Sequence, residues 1–129
     1  MKARIVRQKR ALLWGVDPAG EPAVSTIGIC DRLGIVCRLP GKEGWTERVE
    51  TLLDTPDTQG CPWEQPPLLL LSGLTDAELD DLLAQLRGAK AVWPYKAVVT
   101  PYNRSWSLEK LYRELEQEHR AVTGGGNEE

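Results

Sequence analysis

Short apolar runs alternate with helical stripes along the chain, and this alternation predicts an α/β fold. The first run, Ala11–Val16, is continuous and ends in a proline-glycine turn, which is typical of a buried strand. A weak helical stripe, Val24–Leu33, follows it, and Ile35–Leu39 predicts a second strand. The amphipathic stripe Trp45–Leu53 predicts a second helix.

The same order recurs after a polar, proline-rich connector, residues 54–67. Leu68–Gly73 predicts a buried strand, and the capping-box residues Thr75 and Glu78 begin a leucine-striped helix. Tyr95–Thr100 predicts a fourth strand, and a final amphipathic stripe of leucines predicts a fourth helix. The halves therefore read (βαβα)x2, which predicts a duplicated unit or the ordinary periodicity of an α/β chain. "GWTERVETLL" and "SWSLEKLYREL" favour duplication, because each places Trp before Thr or Ser and an amphipathic run.

Strand composition predicts a four-stranded, mainly parallel sheet with helices on both faces. The first and third strands are unbroken apolar runs, as expected of central strands covered on both faces. The second carries Arg38 and the fourth carries Lys96, and charges of this kind protect sheet edges. The predicted order is therefore 2-1-3-4.

A parallel sheet in this order would have a crevice at the carboxyl ends of strands one and three, where open α/β sheets bind ligands. The predicted ligand-binding residues there are Asp17, Ser72 and Gly73, with Asn103 and Arg104 one strand away. The segment "TPYNRSW", residues 100–106, also has a structural interpretation as the joint between a strand and a helix. Proline ends the strand and Asn tolerates the turn, which leaves Arg104 as the residue without a structural role.

Catalytic motifs are missing from the sequence. His119 is the single histidine, and Ser72 lacks the glycines of a nucleophile elbow. Cys30, Cys37 and Cys61 are not spaced as zinc ligands are, so they are expected to be reduced, structural thiols without metal. Cys61, in the connector, is the one expected to be exposed. We therefore expect no catalytic residue, metal or cofactor.

Charge divides the chain. Residues 1–10 hold five cations and no acid, and the remainder has a net charge of −8, from 11 cations and 19 acids. We predict a flexible basic arm over 1–10, a single α/β domain over 11–123 with halves 11–53 and 68–123, and a disordered tail over 124–129. An acidic body disfavours nucleic acid as a partner.

Half of the chain resembles a known family. Residues 68–119, with "LLLLSGLT" and "KAVVTPYNRSW", resemble small bacterial proteins classed only as a domain of unknown function. The most specific stretch contains Lys96, Thr100, Pro101, Asn103 and Trp106. The resemblance implies a whole-chain α/β unit. The family has no assigned activity, cofactor or catalytic residue, so the resemblance transfers no function to this chain.

The sequence favours a cytoplasmic, non-catalytic interaction or regulatory module, with a protein partner or self-association. No membrane segment or secretory signal is found, since the longest aliphatic run is four leucines. One alternative is a small-molecule-binding protein or small enzyme using the predicted crevice. A second alternative is nucleic-acid binding through the basic arm.

Overall fold

The structure, a computed structural model, describes residues 8–126 of the chain and the side chains of residues 8–120. All eight predicted strands and helices are present, and the predicted second helix is split into a 3₁₀ helix and α2. The elements are β1 Arg10–Trp14, α1 Ala23–Arg32, β2 Val36–Arg38, the 3₁₀ helix Lys42–Thr46, α2 Val49–Asp54, β3 Leu68–Ser72, α3 Asp76–Gly88, β4 Tyr95–Val98 and α4 Leu108–Gly126.

The four strands form one sheet in the predicted order, β2-β1-β3-β4. β1 pairs with β2 in parallel, and β3 pairs with β4 in parallel. The central pair, β1 and β3, is antiparallel, with Arg10 opposite Ser72 and Trp14 opposite Leu68. The sheet is thus mostly parallel, and its two halves run in opposite directions.

The connector explains this reversal. A strand and a single crossover helix would bring the chain back to the edge where β1 starts, and β3 would then be parallel to β1. Here residues 55–67 follow α2 and carry the chain back across the molecule, where the Cys61 N–H donates to the carbonyl of Val16, just beyond β1. β3 therefore begins beside Trp14 and runs in the opposite direction.

Helices cover both faces, as predicted. α1 and α3 lie together on one face, where Ala11 and Leu13 of β1 meet Leu69 and Leu71 of β3 in one core. α2 and α4 cover the other face, where Leu12 and Trp14 form part of a second core. Alternate residues of each central strand therefore enter opposite cores, and Leu68–Leu71 are at most 2% exposed.

The two βαβα units, residues 10–54 and 68–126, are related by an approximate twofold axis perpendicular to the sheet. Leu12 faces Leu70 at the centre of the antiparallel pair. The two helix starts exchange hydrogen bonds: the Val49 N–H donates to the carbonyl of Trp106, and the Leu108 N–H donates to the carbonyl of Glu47, both at 2.9 Å. Glu47 is therefore the counterpart of Trp106, and matching the tryptophans of the two halves was wrong.

The predicted ends of the domain are only partly described. Residues 1–7 of the basic arm and 127–129 of the tail lie outside the described residues. α4 continues to Gly126, into the segment for which the sequence predicted a disordered tail. None of the helices within residues 8–126 combines the length and apolar character that crossing a membrane requires.

Candidate functional site

The predicted crevice between the carboxyl ends of β1 and β3 does not exist. Because these strands are antiparallel, Asp17 follows β1 at one end of the sheet and Ser72 ends β3 at the other. Asp17 instead holds the turn before α1. Its Oδ1 accepts a hydrogen bond from the Ala19 N–H and its carbonyl accepts one from the Gly20 N–H, both at 2.9 Å.

Of the other predicted residues, Ser72 and Arg104 come together at the carboxyl ends of β3 and β4, and Gly73 and Asn103 are their neighbours in the chain. Ser72 and Arg104 line a cavity of about 300 Å³, which we name the polar pocket. Gly73 lies directly after Ser72, with a φ of +82° that lets the chain turn from β3 toward α3. The lining residues of the polar pocket are Arg10, Glu50, Leu53, Asp54, Ser72, Val99, Thr100, Pro101 and Arg104.

The cations of the polar pocket are already paired. Arg10 contacts Asp54 at 2.6 Å, and Arg104 contacts Glu50 at 3.2 Å. An anionic ligand would have to displace these carboxylates, because both guanidinium groups are already neutralised. The polar pocket is therefore a cavity of suitable shape, but neither of its arginines is free to recognise an anionic ligand.

The TPYNRSW segment is principally a structural joint. The Asn103 side chain accepts a hydrogen bond from the Thr100 N–H at 2.8 Å and donates one to the carbonyl of Val98 at 3.3 Å. The carbonyl of Arg104 accepts from the Glu50 N–H, which satisfies an otherwise free amide at the start of α2. Asn103 thus holds the turn, and Arg104 links the two units.

The opposite end of the sheet is filled by aromatic side chains. Counting outward from the paired Leu12 and Leu70, Trp14 occupies the position equivalent to Ser72. Trp14 stacks on Trp45 at 5.4 Å, and Trp63 of the connector packs edge-on against both rings. We name this group, with Tyr95 and Tyr112, the aromatic cluster. The aromatic cluster therefore fills the position in the first unit that is equivalent to the polar pocket of the second unit.

A larger depression, which we name the β4 groove, lies between α3 and the outer edge of β4. It has a volume of about 560 Å³. Its lining residues are Leu83, Leu86, Arg87, Lys90, Ala91, Val92, Trp93 and Lys96. Trp93 is 2% exposed and is fixed by the hydrogen bond from its indole N–H to Thr26 Oγ1, at 2.9 Å. Val92 is 70% exposed, so the groove presents apolar surface to solvent.

Positive charge surrounds the β4 groove. Within the part of the chain that the structure describes, Arg87, Lys90 and Lys96 form no ion pair. Lys90 also has a φ of +59°, in the left-handed region where glycine usually ends a helix. The groove therefore combines exposed apolar surface with three cations that have no carboxylate partner. Of these, Lys96 donates a hydrogen bond from Nζ to the carbonyl of Trp93, at 3.0 Å.

An equivalent depression, the β2 groove, lies at the opposite edge of the sheet. It also has a volume of about 560 Å³ and is lined by Pro18, Ile27, Asp31, Gly34, Ile35, Val36, Cys37, Leu39 and Thr58. The helix ends match: the Ile35 N–H donates to the carbonyl of Cys30, and the Ala91 N–H donates to the carbonyl of Leu86. Asp31 and Gly34 thus occupy the positions of Arg87 and Lys90. The two grooves therefore have the same backbone arrangement but different charges at equivalent positions.

Hydrophobic periodicity and motifs do not reveal the β4 groove, although one feature of the composition indicates it. Residues 82–108 contain four cations and no acid, in a chain whose body is otherwise acidic. Such a segment marks a local positive surface even before the fold is known. The positions of Leu83 and Val92 at its apolar floor and rim required the structure.

The three cysteines lie on opposite faces of the sheet. Cys30 and Cys37 belong to the α1/α3 face, and Cys61 packs against the aromatic cluster. Cys61 is half-buried, contrary to the expectation of exposure, and burial raises the pKa of its thiol. Within residues 8–120, no group of three or more His, Cys, Asp and Glu side chains is arranged to hold a metal ion.

The second of the two units also matches a known family model. Residues 67–122 match DUF3783, a domain of unknown function. The DUF3783 match runs from the residue before β3 into α4, which is one of the two units. The resemblance of the C-terminal half to a domain of unknown function is confirmed. Its bacterial origin and the specific sequence motif stay predictions. No curated protein and no solved structure matches the chain.

Proposed function

We propose that this protein is a non-catalytic binding module whose β4 groove docks an acidic, aliphatic segment of a partner protein. The observation that carries the proposal is the set of three unpaired cations around an apolar groove. The chain after residue 10 has a net charge of −8, so this positive surface is a local exception. A partner segment with carboxylates beside aliphatic side chains complements both properties.

The apolar part of the groove supplies the anchor. Leu83 and Val92 present side chains that are partly or largely open to solvent, above the fixed ring of Trp93. Binding energy at protein interfaces concentrates where apolar side chains enter such depressions, and the charged rim contributes orientation and association rate. Two or three aliphatic side chains of the partner would therefore fill the groove, with their acidic neighbours toward Arg87 and Lys96.

The edge of β4 favours a helical partner over an added strand. The carbonyl of Val98 already accepts a hydrogen bond from the Asn103 amide, and Lys96 lies on the outer strand. Both features reduce the free backbone edge that strand addition requires. An amphipathic helix needs only the apolar groove and its charged rim, and so it fits the geometry better.

Nucleic acid fits the groove less well. Three cations provide few phosphate contacts, and the acidic body repels a polyanion beyond the groove. The separate prediction of nucleic-acid binding through the basic arm concerns residues that lie mostly outside the described part of the chain. It stays a prediction.

A peptide display library tests the proposal with the full chain as bait. We expect selection of peptides that combine Asp or Glu with Leu, Ile or Val at helical spacing. Their affinity should fall as salt is raised, because the charges at the rim are exposed. Fluorescence anisotropy with the selected peptides then measures the dissociation constant.

Matched charge reversals localise the binding. The Arg87→Glu/Lys96→Glu variant should weaken binding at least about tenfold, since like charges would face each other across the interface. Asp31→Lys in the β2 groove should leave the affinity unchanged. Failure to select any acidic aliphatic peptide, retention of affinity in the reversed variant, or tighter binding of an equally charged single-stranded RNA would each overturn the proposal.

A further inference from the structure

Two thiols meet under the β2 groove. Cys30 lies in α1 and is completely buried, and Cys37 lies in β2 and lines the groove. The tight turn between them is fixed by the hydrogen bond from the Ile35 N–H to the carbonyl of Cys30, at 2.8 Å. This turn places both side chains in one core, near enough for each thiol to shift the pKa of the other.

The two thiols differ in access and in acidity. The cavity above Cys37 admits a small solute, whereas Cys30 has no exposed surface. The hydrogen bond from the Cys30 thiol lowers the pKa of Cys37, against the opposing effects of burial and of the Asp31 carboxylate. The same hydrogen bond, together with burial, raises the pKa of Cys30. Cys37 is thus the thiol of the pair that ionises first.

We propose that Cys37 and Cys30 form a redox-active pair, in which Cys37 reacts with a small hydroperoxide and Cys30 then closes a disulfide. The Cys37 thiolate attacks the terminal peroxide oxygen and the O–O bond breaks. The products are a sulfenic acid and the leaving oxyanion, an alkoxide or, from hydrogen peroxide itself, hydroxide, which takes up a proton. The Cys30 sulfur then attacks the Cys37 sulfur, forming the S–S bond and releasing water. The peroxide is reduced by two electrons, and the two thiols are oxidised by the same two.

The position of the pair gives the disulfide a structural effect. It would covalently join α1 to β2, which are otherwise held by packing and by the turn between them. An S–S bond requires the sulfurs to approach to about 2.05 Å, closer than in a thiol-thiol hydrogen bond. The floor of the β2 groove therefore contracts on oxidation. The β4 groove lies at the other edge of the sheet, so the inference is independent of the proposed function.

Peptide mapping after peroxide treatment tests the inference on the full chain. Reduced protein is treated with hydrogen peroxide for increasing times, the remaining thiols are alkylated, and the products are digested and analysed by mass spectrometry. We expect a linkage between the Cys30 and Cys37 peptides, with Cys61 still alkylated. Cys37 should be lost about tenfold faster than Cys61, because reactivity follows the thiolate fraction and access.

Single-cysteine variants separate the two steps. Cys30→Ser should leave a Cys37 sulfenic acid that a dimedone probe traps, since no resolving thiol remains. Cys37→Ser should protect Cys30 from oxidation, and Cys61→Ser should behave as the wild type does. The inference is overturned if no linkage between Cys30 and Cys37 forms in the wild type, or if Cys61 is oxidised as fast as Cys37.

Discussion

The first and second units of this sheet have the same backbone arrangement and opposite surfaces. The edge groove of the first unit contains Asp31 and the thiol of Cys37, and the edge groove of the second is surrounded by Arg87, Lys90 and Lys96. The ends of the sheet differ in the same way. The aromatic cluster fills one end, and the polar pocket remains open at the other.

This difference separates what the fold requires from what a particular surface does. Two units with equal strand order and equal helix ends do not both need a positive groove to fold. Lys90 also differs from its counterpart in a way that the fold does not require. The equivalent Gly34 has a φ of +74°, which glycine adopts freely, whereas Lys90 has a φ of +59°, which is strained for a residue with a Cβ. A residue kept in a strained conformation at a rim with two other cations is typical of a functional position.

The largest effect is expected at the two ends of the sheet. Trp45 and Arg104 occupy equivalent positions, counted from the pairing of Arg48 with Ser107. Trp45→Ala should reduce the free energy of unfolding by about 3 kcal/mol, because it leaves a cavity among packed rings. Arg104→Ala should reduce it by less than about 1 kcal/mol, since the ion pair with Glu50 is largely exposed. Urea denaturation measures both losses. Equal losses would contradict the view that the aromatic cluster stabilises the fold more than the polar pocket does.

The second largest effect is expected when the residues that follow α1 and α3, Gly34 and Lys90, are exchanged. Lys90→Gly should increase the free energy of unfolding by about 1 kcal/mol, because it relieves the left-handed backbone, and it should weaken peptide binding. Gly34→Lys should decrease stability by about 1 kcal/mol, and this loss is conformational because a Cβ at Gly34 meets no atom within 4 Å. Thermal and urea unfolding check both. A Lys90→Gly variant that is stabilised but binds peptide as tightly as the wild type would remove Lys90 from the proposed site.

The third effect concerns helix starts. α3 begins with a full capping box, in which Thr75 Oγ1 accepts from the Glu78 N–H and a Glu78 carboxylate oxygen accepts from the Thr75 N–H. α1 begins without a side-chain cap. Thr75→Ala should therefore reduce the free energy of unfolding by about 1 kcal/mol. Chemical denaturation gives the value. Ala77→Ser, in the first turn of α3 but not at the cap, is the control and should change the free energy of unfolding little.

The smallest effect depends on pH. The Thr75 N–H, and then Lys9, stabilise the ionised form of Glu78 and lower its pKa. A lowered folded pKa contributes stability that is present above the unfolded pKa and is lost as the pH falls, here from about 5 toward 3. The difference in urea midpoint between wild type and Glu78→Gln should therefore shrink on acidification. Ala77→Ser, which changes no ionisable group, is the control: its difference from the wild type should not vary with pH in this range.

The strand order could be predicted from sequence because burial and charge leave direct traces. Leu68–Leu71 is apolar because both faces of β3 are covered, and Arg38 and Lys96 mark strands that have one open side. The direction of β3 leaves no such trace. A central strand buried on both faces has the same composition whether its neighbour is parallel or antiparallel, so residues 55–67 decided the direction.

The candidate site was predictable only in part for the same reason. Ser72 and Arg104, predicted on neighbouring strands at one edge of the sheet, line the same cavity because both follow strands of one unit. Asp17 was placed wrongly because its position relative to Ser72 depends on the direction of β3. The β4 groove depends on side chains from a helix, a loop and a strand, and their convergence follows from packing that local patterns do not specify.

The antiparallel centre of the sheet also has a consequence for synthesis on the ribosome. β1 finds its parallel neighbour β2 within the first 38 residues, yet its other side is paired only when Leu68–Ser72 has emerged. Until then the nascent chain exposes a bare strand edge at Ala11–Trp14, and such edges template association between chains. Slowing translation between codons 40 and 67 would prolong that interval and lower the soluble yield.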